Sequence, residues 1–581
     1  MQEATNKHYC NCSKDLRSRT MLSILRAKTI ILFLLLGVGN AFAKEPTYRQ
    51  PLPLTPEQAT LVQQAATQEK FLVKVVQQHT PVVQTYIQHL RPDPQLGKAP
   101  FSDLYMLGRV NFDNTFTDNL YAKNAPKKGW FSGSNKFLSS LTKAFKMEYS
   151  ANGFMDMIFL DAGAFDQQHY DFTFVRREFL GDVRTMVFDV QPKPHTGTGR
   201  FVGRVWIEDQ DGFAVRFTGT FSGGTKRTLY FHFDSWRANV QPHVWAPIAV
   251  YVEDQDFRGQ TYLWGYALKL PDPGSDSESI SVENAVDASD NSQDVGPMQA
   301  KQQWTNQTER NVLDRLTQAG LLANPSDFDK VLETVANNLI IGNKIDLPAP
   351  IHCRVMLTAS LESLAVGNTI ILSKGLVDVL PSEESLAAVI SFQLAHVLLG
   401  HSIDTRYAFN DRLLFPDEAT LQRIAMSHSD ADNESSAKKA LELLRNSVYQ
   451  DKLANADLFF AQVVELSKSL PFLLTPRLGD SLLRPNGTAW MASISNTPAL
   501  QTDNLQQIAA LPLNSHLRID PWSDKVYQLN LKPQQVLNVR DKMPLEVTPI
   551  YYRLSRYSPP EENPPPSGAP SSSKPAVPGK N

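Results

Sequence analysis

The sequence predicts an α+β protein: an antiparallel β-meander of half-barrel type followed by a mainly helical domain. Three observations carry this. From about Met147 to Val252 apolar and polar residues alternate with period two, the signature of half-buried strands. Beyond residue 300 helical spacing takes over. Between them, Pro271 to Ala300 holds seven acidic residues and no Lys or Arg, a composition that predicts a solvated linker.

The elements follow in chain order. Thr55-Pro56-Glu57 is a helix start, with a hydroxyl cap followed by proline at the first helical position. Leu61, Val62, Ala65, Phe71, Leu72, Val75 and Val76 continue at helical spacing. Thr80-Pro81 interrupts, and Val82 to Leu90 reads as a second short helix completing a hairpin. Arg200–Ile207, Phe213–Phe221, Thr228–Trp236 and Trp245–Val252 read as strands, separated by turns such as Asp209-Gln210-Asp211-Gly212 and Ser222-Gly223-Gly224. A sheet this rich in Phe, Trp and Tyr is expected to bury one face or to hold an apolar guest. Arg354–Leu357 and Gly367–Leu376 read as strands, and Leu386–His401 as a helix capped by Ser382. Leu513–Tyr552 alternates in places, and Ser558–Asn581, with eight prolines, is expected to be disordered. The predicted segments are a leader and signal peptide (1–43), a helical hairpin plus β domain (44–270), the acidic linker (271–300), a helical domain (301–475), a C-terminal extension with some strands (476–557) and the Pro-rich tail (558–581).

Lys+Arg is 57 against Asp+Glu 60, and 42% of residues are hydrophobic. That balance excludes a basic nucleic-acid-binding surface and wholesale disorder, so no nucleic-acid partner is expected. Met21–Ala43 places Arg26 and Lys28 before the apolar run Ile30–Val38 and a small-x-small site at Ala41-Phe42-Ala43. This is the pattern of a secretory signal peptide cleaved near Ala43, and it predicts a periplasmic or secreted protein. Met21 reads as an alternative start, which would put Cys10 and Cys12 outside the protein. The mature chain then has one cysteine, Cys353, and no internal disulfide.

The segment Ser382–Ser402, SEESLAAVISFQLAHVLLGHS, follows two strands and a Gly-Leu turn. Here the chain resembles the CAAX-prenyl-protease type of gluzincin zinc metallopeptidases (HtpX-like and BepA-like), over roughly Val331–Leu444. The resemblance implies a gluzincin-like peptidase fold for the helical domain and a helix bearing His-Glu-x-x-His. Two His at i and i+4 lie only about 40° apart around a helix and can share one zinc. The Glu takes a proton from zinc-bound water, and a Glu on a later helix completes the site. The succession of helices and hairpins in the amino-terminal domain also resembles LolA-like lipoprotein carriers.

The departures from the peptidase pattern decide the expected function. Phe392 stands at the first zinc His and Gln393 at the general base, while His396 keeps the second His. Phenylalanine offers no lone pair, and a glutamine amide is not basic near neutral pH. For the third ligand the resemblance offers Glu434, in Glu434-Ser435-Ser436-Ala437-Lys438, with Asn433 in its place if the alignment shifts by one. The other candidate, Leu453–Asp457, has leucine at the ligand position. The relic metal ligands are therefore His396 and Glu434. His396 beside Phe392 reads first as a hydrogen-bonded core histidine, and Glu434 as an exposed carboxylate favoured by the helix dipole. His401, about 140° round from His396, is not expected to share a metal with it. His352 and Cys353 point to opposite sides of a strand. His428 is the one nearby donor from which a site could be rebuilt.

The expected function is a secreted pseudopeptidase, hydrolytically inactive and without a cofactor, acting as a binding or quality-control scaffold for envelope proteins or peptides held by β-addition to an edge strand. The alternatives are an active zinc metalloendopeptidase with a rebuilt site, and a protein that binds an apolar ligand, lipid or lipoprotein through its β domain.

Overall fold

The computed structural model describes residues 53–93, 97–111, 115–118, 154–161, 164–197, 199–222, 231–266, 297–403, 421, 426–491, 517–519, 526–528, 545, 547–549 and 551–558. The signal segment, most of the acidic linker and the Pro-rich tail lie outside the described residues.

Helix α1 (Pro56–Val76) begins with a capping box. Thr55 Oγ1 accepts from Gln58 N, and the Gln58 side chain accepts from Thr55 N. Next come strands β1 (Val82–Asp93), β2 (Gly97–Asn111) and β3 (Thr115–Asp118). Seven further strands form a meander: β4 (Tyr170–Leu180), β5 (Val183–Pro192), β6 (Phe201–Glu208), β7 (Ala214–Phe221), β8 (His232–Gln241), β9 (Val244–Glu253) and β10 (Phe257–Trp264). They make one ten-stranded antiparallel sheet, ordered β3-β2-β1-β10-β9-β8-β7-β6-β5-β4, so the first three strands extend the meander beyond its last member.

Residues Val82–Leu90 are thus strand, not the second helix of a hairpin. Val82, Val83, Tyr86, Ile87 and Leu90 mimic a helical repeat because both faces of β1 are buried, and a doubly buried strand is apolar at consecutive positions. Val83 and Ile87 join the core beneath α1, while Val82 and Tyr86 join the core of the helical layer.

That second layer contains α2 (Pro297–Gln318), α3 (Asp327–Gly342), β11 (His352–Met356), β12 (Glu362–Val366), β13 (Thr369–Ser373), α4 (Lys374–Val379), α5 (Glu383–Leu399), α6 (Asp430–Arg445), α7 (Leu453–Leu466), α8 (Pro471–Leu474) and β14 (Asp480–Ser481). Its small sheet runs β11-β13-β12-β14, with β11 and β13 parallel. The C-terminal extension does carry strands. β14 pairs with β12, and β15 (Leu517–Ile519) pairs with β16 (Val526–Gln528).

Each side of the large sheet is partly covered. Its Phe217 and Arg237 side lies under α1, where Arg237 meets Glu69. The other side meets the helical layer at β1 and β2 and a strap formed from residues 545, 547–549 and 551–558. Gln88 accepts from Val547 N and donates to Leu545 O, and Gln260 donates to Thr548 O. The Arg216 guanidinium lies over Trp206, Trp236 and Tyr551 and forks onto Asp234. Asp182 N donates to Leu554 O at 2.8 Å, where Gly181 (φ +69°) lets the strap approach. Among the described residues no helix is long and apolar enough to cross a membrane.

Candidate functional site

Helix α5 is buried almost throughout, and its apolar residues leave no polar face. Ser382 caps its start, accepting from Ser385 N, and Gly400 ends it in the left-handed conformation at φ 70°. It packs between the small sheet and helices α3, α6 and α7, which places Phe392, Gln393 and His396 in the core.

Gln393 is completely buried. Its Nε2 donates to Ser363 Oγ on β12 at 2.8 Å and to Asp480 Oδ2 on β14 at 3.3 Å. Asp480 is also held by the segment leading into α6: His428 N donates to Oδ1 at 2.7 Å, and His428 Nδ1 lies 2.8 Å from Oδ2. An ionised carboxylate only accepts, so Asp480 fixes the proton on His428 Nδ1 and leaves Nε2 with a lone pair. The His396 ring stacks on His428, with centroids 3.8 Å apart and planes 26° apart, and Phe392 meets it edge-on at 5.0 Å. Burial lowers the His396 pKa to about 3, so its imidazole is neutral.

Ligand atoms of His396, His428 and Asp480 lie within 4.8 Å of one another. His401 lies beside this group without belonging to it. Gly400 ends the helix and folds the chain back, so His401 Nδ1 reaches His396 Nδ1 at 3.1 Å, beside Ser435 and Ser436. Burial lowers the His401 pKa as well.

Glu434 is not part of the cluster. Its Oε2 accepts from Arg484 Nη2 and Nε at 3.1 and 3.2 Å, and its side chain is 42% exposed. The neighbouring Asn433 is the residue that turns inward, 5% exposed, with Nδ2 toward His428 O at 3.4 Å. The zinc set implied by the peptidase resemblance, positions 392, 396 and 434, therefore does not fit: one position is a phenyl ring and another is bound to an arginine. Cys353 is buried and His352 exposed, as a strand predicts, and burial raises the thiol's pKa to about 12.

No family model matches the chain, and no curated protein matches it.

Sequence reasoning missed Asp480. An isolated aspartate in Gly479-Asp480-Ser481 carries no local signal, and β14 brings it to β12 from more than a hundred residues away. The same pairing covers the edge of β12 at Glu362 and Ser363. β11 is covered too, by Leu357 N to Leu321 O and Ala323 N to Val355 O. β-Addition to the small sheet thus has no open edge at these positions. A polar cleft of about 450 Å³, lined by Gly342–Ile345 and residues of α6, does not reach the histidines.

Proposed function

We propose that this chain is a hydrolytically inactive binding protein of the cell envelope, whose helical layer keeps the layout of a gluzincin peptidase without its chemistry. The observation that carries the reading is Gln393. The position needed for a general base is a completely buried amide, tied to Ser363 and Asp480, with a phenyl ring one residue before it. Hydrolysis requires water and a scissile carbonyl at one point, whereas His396, Gln393 and Asp480 are each at most 1% exposed.

The partners proposed are unfolded or assembling envelope proteins. Pairing at Glu362–Ser363 and at Val355–Leu357 takes up part of the edges of β12 and β11, which favours a binding surface elsewhere on the chain. Lipid binding by the large sheet is the weaker reading, because the strap and the helical layer lie where an apolar guest would sit.

Two assays on the full chain test this. Incubation with unfolded polypeptide and added zinc should give no cleavage, and the chain should suppress aggregation of a chemically unfolded outer-membrane β-barrel protein. Zinc-dependent cleavage that is lost in His396→Ala would overturn the reading, as would no effect on aggregation.

A further inference from the structure

Helices α3 and α6 end side by side, and their ends frame the polar cleft of about 450 Å³. Gly342 allows the approach: a Cβ there would lie 3.1 Å from Asn446 O and 3.3 Å from Ser447 Cα. The cleft is lined by three cations, Lys344, Lys439 and Arg445, against one carboxylate, Glu442. Lys439 Nζ donates to Glu442 Oε2 at 3.0 Å. Lys344 and Arg445 are therefore surplus positive charge, with no carboxylate partner among the described residues.

Cations near a helix C-terminus ordinarily serve its last carbonyls. Here other donors meet them. Asn343 Nδ2 bridges Leu339 O and Leu443 O at 2.9 and 2.8 Å. Lys344 N and Ile345 N close α3 onto Ile341 O and Ile340 O, while Asn446 N and Ser447 N close α6 onto Glu442 O and Leu444 O. Lys344 itself has φ +54°, the left-handed position after a helix that glycine ordinarily fills. A lysine there gives the cleft a charge that the helix end does not need. Two exposed apolar residues flank the same place. Ile341, 73% exposed, precedes Gly342, and Val448, 70% exposed, follows Ser447. Each stands three residues from a surplus cation, Ile341 from Lys344 and Val448 from Arg445.

We infer that this cleft binds the C-terminus of an extended polypeptide ending in an apolar residue. A residue carries a backbone carboxylate and an apolar side chain on one Cα only at the end of a chain. The carboxylate meets Lys344 and Arg445, the preceding peptide group meets the amides of Asn446 or Gln450, and the last side chain rests on Ile341 and Val448. The inference rests on the binding-protein reading and names what is recognised, a free chain end rather than an internal segment.

The test uses the full chain and a fluorescein-labelled octapeptide ending in Val-Phe, made with a free carboxylate or a C-terminal amide, with binding read by anisotropy. The acid should bind at least about tenfold more tightly than the amide. Arg445→Gln should weaken the acid about tenfold. Lys438→Gln, at a side chain 75% exposed on α6, should leave it unchanged. Lys344→Gly should weaken the acid severalfold while the melting temperature holds or rises, because glycine accepts this backbone without strain. Equal binding of acid and amide overturns the inference, as does acid binding that survives Arg445→Gln and Lys344→Gly together. Inorganic phosphate that displaces the peptide at equal concentration would reveal a general anion site and overturn it too. The result separates from the functional reading. A chain that suppresses aggregation but ignores the carboxylate refutes only the cleft, and one that binds the acid without suppressing aggregation refutes only the scaffold role.

Discussion

Glu69 and Arg237 meet through two 2.8 Å hydrogen bonds in the core between α1 and the large sheet, each side chain 1% exposed. The pair is well supplied, since Leu160 N donates to Glu69 while Arg237 donates to Ala214 O and Ile158 O. Removing one partner strands the other charge. Glu69→Ala should lower unfolding free energy by about 3–5 kcal/mol in urea titration, and Glu69→Leu with Arg237→Met should recover most of it. Equal loss in the single and double variants would show that the pair is not coupled.

Asp103 on β2 joins the two layers. It accepts from Phe472 N and Leu473 N at the start of α8 and from Tyr86 Oη. Burial raises its carboxyl from 3.8 to about 6 despite these bonds. Between those values the folded chain holds more protons than the unfolded one, so this group's contribution falls as pH rises from about 4 to 6. Above that window the burden is constant, on the order of 3 kcal/mol. Wild type should therefore gain stability relative to Asp103→Asn when pH drops from about 7 to about 4.5. A difference that does not change with pH would refute the assignment.

Gln393→Glu would place a second carboxylate beside Asp480 in a site without water. Two such groups share a proton, and the second ionises only at a raised pH. The variant should melt at lower temperature than wild type, with the gap widening between about pH 5 and pH 8. A constant gap would mean that the new carboxylate has found a cation, which metal analysis would reveal.

The strap rests on Gly181, where an added Cβ would lie 2.5 Å from Leu554 O in a backbone already at φ +69°. Gly181→Ala should cost about 1–3 kcal/mol and lift this end of the strap. Trypsin would then cut at Arg553 and Arg556 faster than in wild type, with the rate of cutting elsewhere unchanged.

The antiparallel sheet and α5 with its caps were legible because period, turn residues and cap chemistry act locally. β7 and β9 fall nearly where alternation puts them. β1 was not legible, because burial on both faces removes alternation and leaves Val82, Val83, Tyr86 and Ile87 looking helical. At the site, the loss of chemistry at Phe392 and Gln393 could be read directly. The gathering of His396, His401, His428 and Asp480 could not: it depends on a left-handed glycine that reverses the chain and on a two-residue strand distant in sequence. Glu434 and Asn433 differ only in which way one helical turn faces, which no motif match resolves.

The position of the strap late in the chain has a consequence for synthesis. The large sheet is complete at Trp264, but the strap that finishes covering it begins at Leu545, roughly 280 residues later. At about 5–20 residues per second, Tyr86, Arg216 and Trp236 wait some 15 to 60 s for their last neighbours. During that interval the nascent chain presents an aromatic face to its surroundings.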